Sequence, residues 1–295
     1  MHTIPKVALS SMLFLSQSLY SAHPEQGIYI NHGTMEKTSY LNYLIEEART
    51  SGIGTFIIDL EKKTNGYSKN IERVKQSGIK YVARIVVFPD GAKPHQMKSK
   101  SYWQQRYALA DAAIKMGAKE IQLDYIRYSS KQPPSSQNKY DVLEVAHFFK
   151  DKVAAQKIPL QLDVFGISSL GEVKTIGQSI PVLSKAADVI CPMNYPSHWE
   201  PYQKYSKQPY ETVYNAIQSL RKQFDNKPLG FKLIPYIELS NYRFPMSHTE
   251  TLNYIDAQIK ATEHGRADGW YAWSPGNKYN NLFKVLKARE SKNPI

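Results

Sequence analysis

The strongest constraint on this chain is a rhythm. Eight short, apolar, β-rich runs recur along it, most of them followed by a stretch of helical periodicity. The runs are GIYI (27–30), IGTFIIDL (53–60), KYVARIVVF (80–88), EIQLDYI (120–126), PLQLDVFG (159–166), ADVICPMNY (187–195), LGFKLIPYI (229–237) and DGWYAWSP (268–275). They are nearly continuous in their apolar character, as parallel strands covered on both faces are. The intervening helical patterns include SYLNYLIEEARTS, YWQQRYALADAAIKMG and TLNYIDAQIKATEHG. Ser39, Ser68 and Asp141 stand where helix N-caps are expected, and Gly78, Gly117 and Gly265 where helices close. Only GEVKTIGQSIPVLSKA, between the fifth and sixth runs, is weakly helical.

Parallel strands need crossover connections, and eight βα units over about 250 residues predict an α/β fold, a single-domain (β/α)8 TIM barrel. A doubly wound open sheet is the alternative. Its phosphate-binding signature is missing, because NHGTMEK after the first run is not G-x-G-x-x-G. No linker divides the chain, and SSKQPPSSQNK (129–139) reads as a loop after the fourth strand.

The first 22 residues read differently from the rest. Lys6 precedes an apolar run from Val7 to Leu15, and Ser21 and Ala22 follow. The run is too short to span a bilayer, and the expectation is a signal peptide over 1–22, a secreted or periplasmic protein, and a barrel over 23–295. No transmembrane segment is expected in the mature chain, which is read as a monomer. The 295 residues carry a formal charge of +12, and removing Lys6 with the leader leaves +11. The basic residues are scattered, so no nucleic-acid partner is expected, although an anionic polysaccharide is compatible with such a surface. The single cysteine, Cys191, excludes an internal disulfide and any multi-cysteine metal site.

In a barrel, the active site gathers where the strands end. Two strands carry an echo there: IQLDYIRYSS (121–130) and LQLDVFGISS (160–169) place Asp124 and Asp163 at the same depth, 39 residues apart. Two carboxylates converging on one mouth suit glycosidic bond hydrolysis, in which one donates a proton and the other attacks the sugar or activates water. Burial and mutual repulsion would separate their pKa values. Glu238, at the end of the seventh strand, competes for the acid role. Asp59 and Arg84 end strands two and three, and Arg84 reads as a buried partner of the acids. Arg127 could hold one carboxylate ionised or bind an acidic substituent. Asn194 and His198 follow strand six. Tyr125, Tyr128, Tyr195, Trp199, Tyr236 and Trp273 could stack on sugar faces. No H-x-H, H-E-x-x-H or calcium loop occurs, so no metal or other cofactor is expected.

With these residues in place, the chain resembles the bacterial "putative glycosyl hydrolase domain" family, first catalogued as a domain of unknown function and grouped near the amylase-like barrels. FIIDLE, YVARIVVFPD, EIQLDYIRYS, LDVFG, DVICPMNYPSHW and DGWYAWSPGNKY carry the resemblance, from about residue 27 to 283. It implies a (β/α)8 barrel with glycosidase activity and, by analogy with amylase-like barrels, a nucleophile at Asp124. Their acid is commonly a Glu after strand five, where this chain has Asp163. Members usually read Asp-x-Lys-Asp-Asp after strand two, whereas this chain reads Asp59-Leu60-Glu61-Lys62-Lys63. Two alternatives stand beside hydrolysis. One is a carbohydrate-binding barrel without catalysis. The other is a metal-dependent hydrolase using Asp59, Asp124 and Asp163.

Overall fold

The computed structural model describes residues 24–292. The signal peptide expected over 1–22 lies outside the described residues. The strands are β1 (Glu25–Ile30), β2 (Thr55–Asp59), β3 (Lys80–Val86), β4 (Glu120–Asp124), β5 (Leu160–Phe165), β6 (Val189–Met193), β7 (Lys232–Leu233), β8 (Tyr236–Glu238) and β9 (Gly269–Trp273). All pairings between them are parallel, and β9 returns to β1, so the sheet closes into a barrel.

The seventh run, expected as one strand, is two. Proline has no N–H to give, and Pro235 interrupts the ladder on the β6 side. Its carbonyl still accepts from Tyr271 N at 3.0 Å, and Ile234 N reaches Ile190 O at 3.0 Å. β7 and β8 therefore act as one stave with a break, and the barrel has eight staves.

Among the described residues, seven helices of a dozen residues or more run around it: α1 (Thr38–Arg49), α2 (Asn65–Gln76), α3 (Lys100–Lys115), α4 (Asn138–Ala154), α5 (Pro209–Lys222), α6 (His248–His264) and α7 (Asn280–Lys292). The weakly helical stretch after β5 yields only a short helix, Ile180–Leu183, and a 3-10 turn. Helix starts lie upstream of the expected caps. Thr64 caps α2 by accepting from Tyr67 N at 3.0 Å, while Ser68 sits inside the helix and donates to Thr64 O. Ser39 and Asp141 likewise lie within first turns, and Asp141 spends its carboxylate on Tyr128 Oη, Lys98 and Gln137. At the C-termini, Gly78 and Gly117 take the left-handed turn, at φ 83° and 94°. Gly265 does not. There Arg266 turns at φ 56°, and the glycine is needed because a Cβ would lie 2.9 Å from Ala261 O and from Ile217.

Side chains alternate across each strand and make two cores. Ile28, Ile30, Phe56, Ile58, Tyr81 and Ala83 face the helices. Tyr29, Ile57, Val82, Cys191, Tyr236 and Tyr271 fill the barrel interior. The same period of two explains the sequence echo. Gln122 and Gln161 are register partners, and Gln122 Nε2 donates to Gln161 Oε1 at 2.8 Å. Tyr236 Oη and Tyr271 Oη join this amide layer at 2.8 and 3.1 Å. Two residues further along each strand come Asp124 and Asp163, one storey above a floor of amides. At the opposite end of the barrel Lys80 pairs with Glu120 at 2.9 Å and with Glu25.

Candidate active site

A cavity of about 370 Å³ opens at the C-terminal ends of the strands, within the ~300–1,000 Å³ typical of small-molecule sites. Nine of the residues singled out in the sequence line it: Arg84, Asp124, Tyr125, Asp163, Tyr195, His198, Trp199, Tyr236 and Trp273.

Arg84 organises the polar wall. Its Nη1 lies 2.5 Å from Asp59 Oδ1, its Nη2 bonds Asp124 Oδ2, and its Nε lies 3.4 Å from Asp163 Oδ2. One guanidinium thus meets three aspartates, and its planar fork is what permits this. Burial opposes the charge on Arg84, but Asp124, Asp59 and Asp163 outweigh it and hold the group more firmly protonated than usual. Among the described residues no group of three or more His, Cys, Asp or Glu side chains is placed to hold a metal ion. The positive charge amid the three aspartates is Arg84 itself.

The two echoed aspartates differ in their surroundings. Asp124 has both oxygens engaged, Oδ2 by Arg84 and Oδ1 by the Tyr125 N–H at 2.5 Å. Tyr125 reaches that position in the left-handed region, at φ 52°. A non-glycine residue there stores about 1–3 kcal/mol of strain, a feature that clusters at functional sites. Asp163 is 1% exposed, and its Oδ1 is buried without a hydrogen-bond partner. Burial, then the charge of Asp124, push the Asp163 carboxyl well above the ordinary aspartate range, against the pull of Arg84. Because Oδ2 accepts from Arg84, the proton belongs on the unpartnered Oδ1.

Much of the remaining lining is aromatic. Trp273 stacks on Tyr195 with centroids 5.1 Å apart, and His198 and Tyr242 pack against Trp273 at 6.2 and 5.9 Å. Burial, then Asp163 and Asp124, raise the Tyr195 hydroxyl above its usual range and keep it a neutral phenol.

Five expected site residues are absent from the cavity lining. Tyr128, expected to stack on a sugar, is buried and donates its hydroxyl to Asp141 Oδ2 at 2.7 Å. Asp59 lies behind Arg84 and accepts from Tyr29 Oη at 2.5 Å. Arg127 holds no carboxylate. Its guanidinium stacks over Tyr125 and Phe165 at 5.0 and 4.8 Å and donates to Tyr128 O at 2.9 Å, while burial lowers its affinity for a proton. It supports two cavity side chains from behind. Asn194 is fully buried, with both side-chain polar atoms unpartnered, beside Gly166. Glu238 is fully buried, and four donors fill its two oxygens: Tyr254 Oη at 2.5 Å, Ser197 N at 2.7 Å, Ser197 Oγ at 2.8 Å and His198 Nδ1 at 3.2 Å. It fixes the loop carrying His198. Replacing Glu238 by Gln turns acceptor sites toward donors. The expected cost is about 1–3 kcal/mol of stability, read by urea melts, with turnover reduced but retained. Complete loss of turnover in a fully folded Glu238→Gln protein would instead make Glu238 the acid.

Tyr29, Phe165, Gly166, Ile167 and Met193 also line the cavity. Tyr29 shares the inward parity of its strand and was legible on that ground. Gly166 leaves room for Trp199, since a Cβ there would lie 2.8 Å from the indole edge.

At the mouth of a closed (β/α)8 barrel, one cavity thus holds two buried carboxylates, one of them with an unpartnered oxygen, together with several aromatic rings, an arrangement suited to glycoside hydrolysis. Residues 91–279 match the family described as "putative glycosyl hydrolase domain", and the chain belongs to that family. No curated protein matches it. Among solved structures it is similar to the spore cortex-lytic enzyme SleL of Bacillus cereus, at TM-score 0.65 and 12% identity over 89% of this chain and 73% of that one. It is also similar to a chitinase of Chromobacterium violaceum, at TM-score 0.62 and 10% identity over 90% and 98% of the two chains. The C-terminal domain of a putative chitinase from Desulfitobacterium hafniense aligns at TM-score 0.60 and 11% identity over 90% and 99%. At these identities the likeness is one of fold.

Proposed function

We propose that the protein hydrolyses glycosidic bonds of an envelope or extracellular polysaccharide, with Asp163 as proton donor and Asp124 as nucleophile or base. The observation that carries this reading is the buried, unpartnered Oδ1 of Asp163, on the wall shared with Asp124. A carboxylic acid whose pKa is raised by burial keeps its proton to higher pH and is suited to donate it. Asp163 Oδ1 has no hydrogen-bond partner among the described residues and is left for a glycosidic oxygen, while Asp124 is held by Arg84 and the Tyr125 amide. Trp273 and Tyr195 supply flat faces on which a sugar ring stacks. Polymers of the kind the neighbours' names point to, chitin and spore cortex, are the first to assay.

Asp124→Asn is expected to reduce the release of new reducing ends by at least about a hundredfold and to leave oligosaccharide binding within about threefold. Full turnover by the Asn variant would remove the assignment. The apolar segment at 7–15, preceded by Lys6, supports export. The mass of the chain recovered outside the cytoplasm checks whether residues 1–22 are removed.

A further inference from the structure

Beside the cavity, on the far side of Trp199, lies a second hollow of about 140 Å³. Leu170, Trp199 and Tyr205 form its apolar part, and Lys204, Gln208, Glu211 and Asn215 its polar part. Trp199 also lines the main cavity, is only 6% exposed, and packs edge-on against Tyr205 at 5.6 Å. It is a shared wall. The way round it is the 3-10 turn Gly166–Ser169 that follows β5. Ile167 of that turn lines the cavity, Leu170 just after it lines the hollow, and the two are 43% and 45% exposed. With Tyr242 they are three of the five large exposed hydrophobic side chains among the described residues, all at this rim. The ledge is held in place, because Gln223 Nε2 on the outer side donates to Ser168 O and Ser169 O at 3.1 and 2.8 Å.

An exposed apolar ledge leading into a pocket of amides and charges matches the chemistry of a pyranose, which has an apolar C–H face and a hydroxyl edge. A cavity of about 150 Å³ takes benzene, a smaller ring than a pyranose, so the hollow has room for one sugar ring whose substituents stay in solvent. We propose that it is a second carbohydrate subsite, which receives a further residue of the same chain that occupies the cavity, passed over Ile167 and Leu170. This rests on the carbohydrate reading given above, though not on catalysis. Asn215 and Leu170 then set the chain length the protein selects.

The test is titration calorimetry on the Asp124→Asn protein, which keeps probes uncut, with β-1,4-linked N-acetylglucosamine oligomers and β-1,4-linked glucose oligomers of two to six units. At least one series should tighten with length, ending in a step of about tenfold when the hollow is reached. Asn215→Trp, which fills the hollow from an exposed helix position, and Leu170→Asp, which charges the ledge, should lose that step and no other. The proposal is overturned if both variants retain the step, if affinity is flat once the cavity is filled, or if neither series binds. Hydrolysis by the native chain is scored separately. A length step without cutting keeps the subsite and removes the hydrolase reading.

Discussion

Asp163→Asn is expected to lose turnover by about 10²–10⁴-fold and to melt at a higher temperature than the native protein at pH 7–8. The two effects have one origin. Asp163 is buried beside Asp124, and its folded pKa is raised for that reason. Below the unfolded pKa, about 3.9, both states hold the proton and the group does not bias folding. As pH rises from there through the folded value, the unfolded chain sheds its proton first, so native stability falls across that window. Asparagine cannot ionise and should flatten this slope. Thermal melts between pH 4 and pH 8, run beside reducing-end assays, read both quantities. The same titration shapes catalysis, since activity should decline on the alkaline side as Asp163 gives up its proton. A variant that melts lower at neutral pH, with the native pH slope intact, would show that the Arg84 contact outweighs burial.

Arg84→Met should be the most destabilising single change in the site. Removing one partner from a buried ion pair costs about 3–5 kcal/mol, and Arg84 serves three aspartates while its side chain is 12% exposed. The loss should be larger at pH 8 than at pH 5. Without the guanidinium the three carboxylates repel one another, and protons bound by the folded variant in acid relieve that repulsion. Arg84→Lys should recover only part of the stability, because a single ammonium cannot reproduce a fork that meets three separate oxygens. Urea melts at the two pH values decide it. A cost under about 1 kcal/mol, or one equal at both pH values, would mean that the network contributes little net stability.

The barrel was legible because its signal is periodic. Apolar runs at regular spacing specify staves, and a period of two within each stave specifies which side chains share the interior. Asp124, Asp163 and Arg84 fall on that inward parity and could be placed in advance. Residues beyond the strand ends obey no period. Asn194, one residue past β6, lies behind Gly166, whereas Glu238 keeps the parity of Tyr236 in β8 and is still lost to the cavity, because the Ser197–His198 loop consumes its carboxylate. Arg127 was expected to meet an acid. Tyr125 turns through a positive φ just before it, and the guanidinium stacks behind two rings instead. The break at Pro235 was visible as a proline inside a strand pattern. The carbonyl that preserves the stave depends on a neighbouring strand.

The amide floor of Gln122 and Gln161, with the Lys80 ion pairs beneath it, makes the barrel a well rather than a pipe. Nothing can be threaded through it and released at the far end. On the proposed reading, a severed fragment leaves by the mouth it entered, past the faces of Trp273 and Tyr195. Departure of the fragment therefore competes with arrival of the next chain, and the stickier those faces are, the longer the mouth stays occupied after the bond is broken.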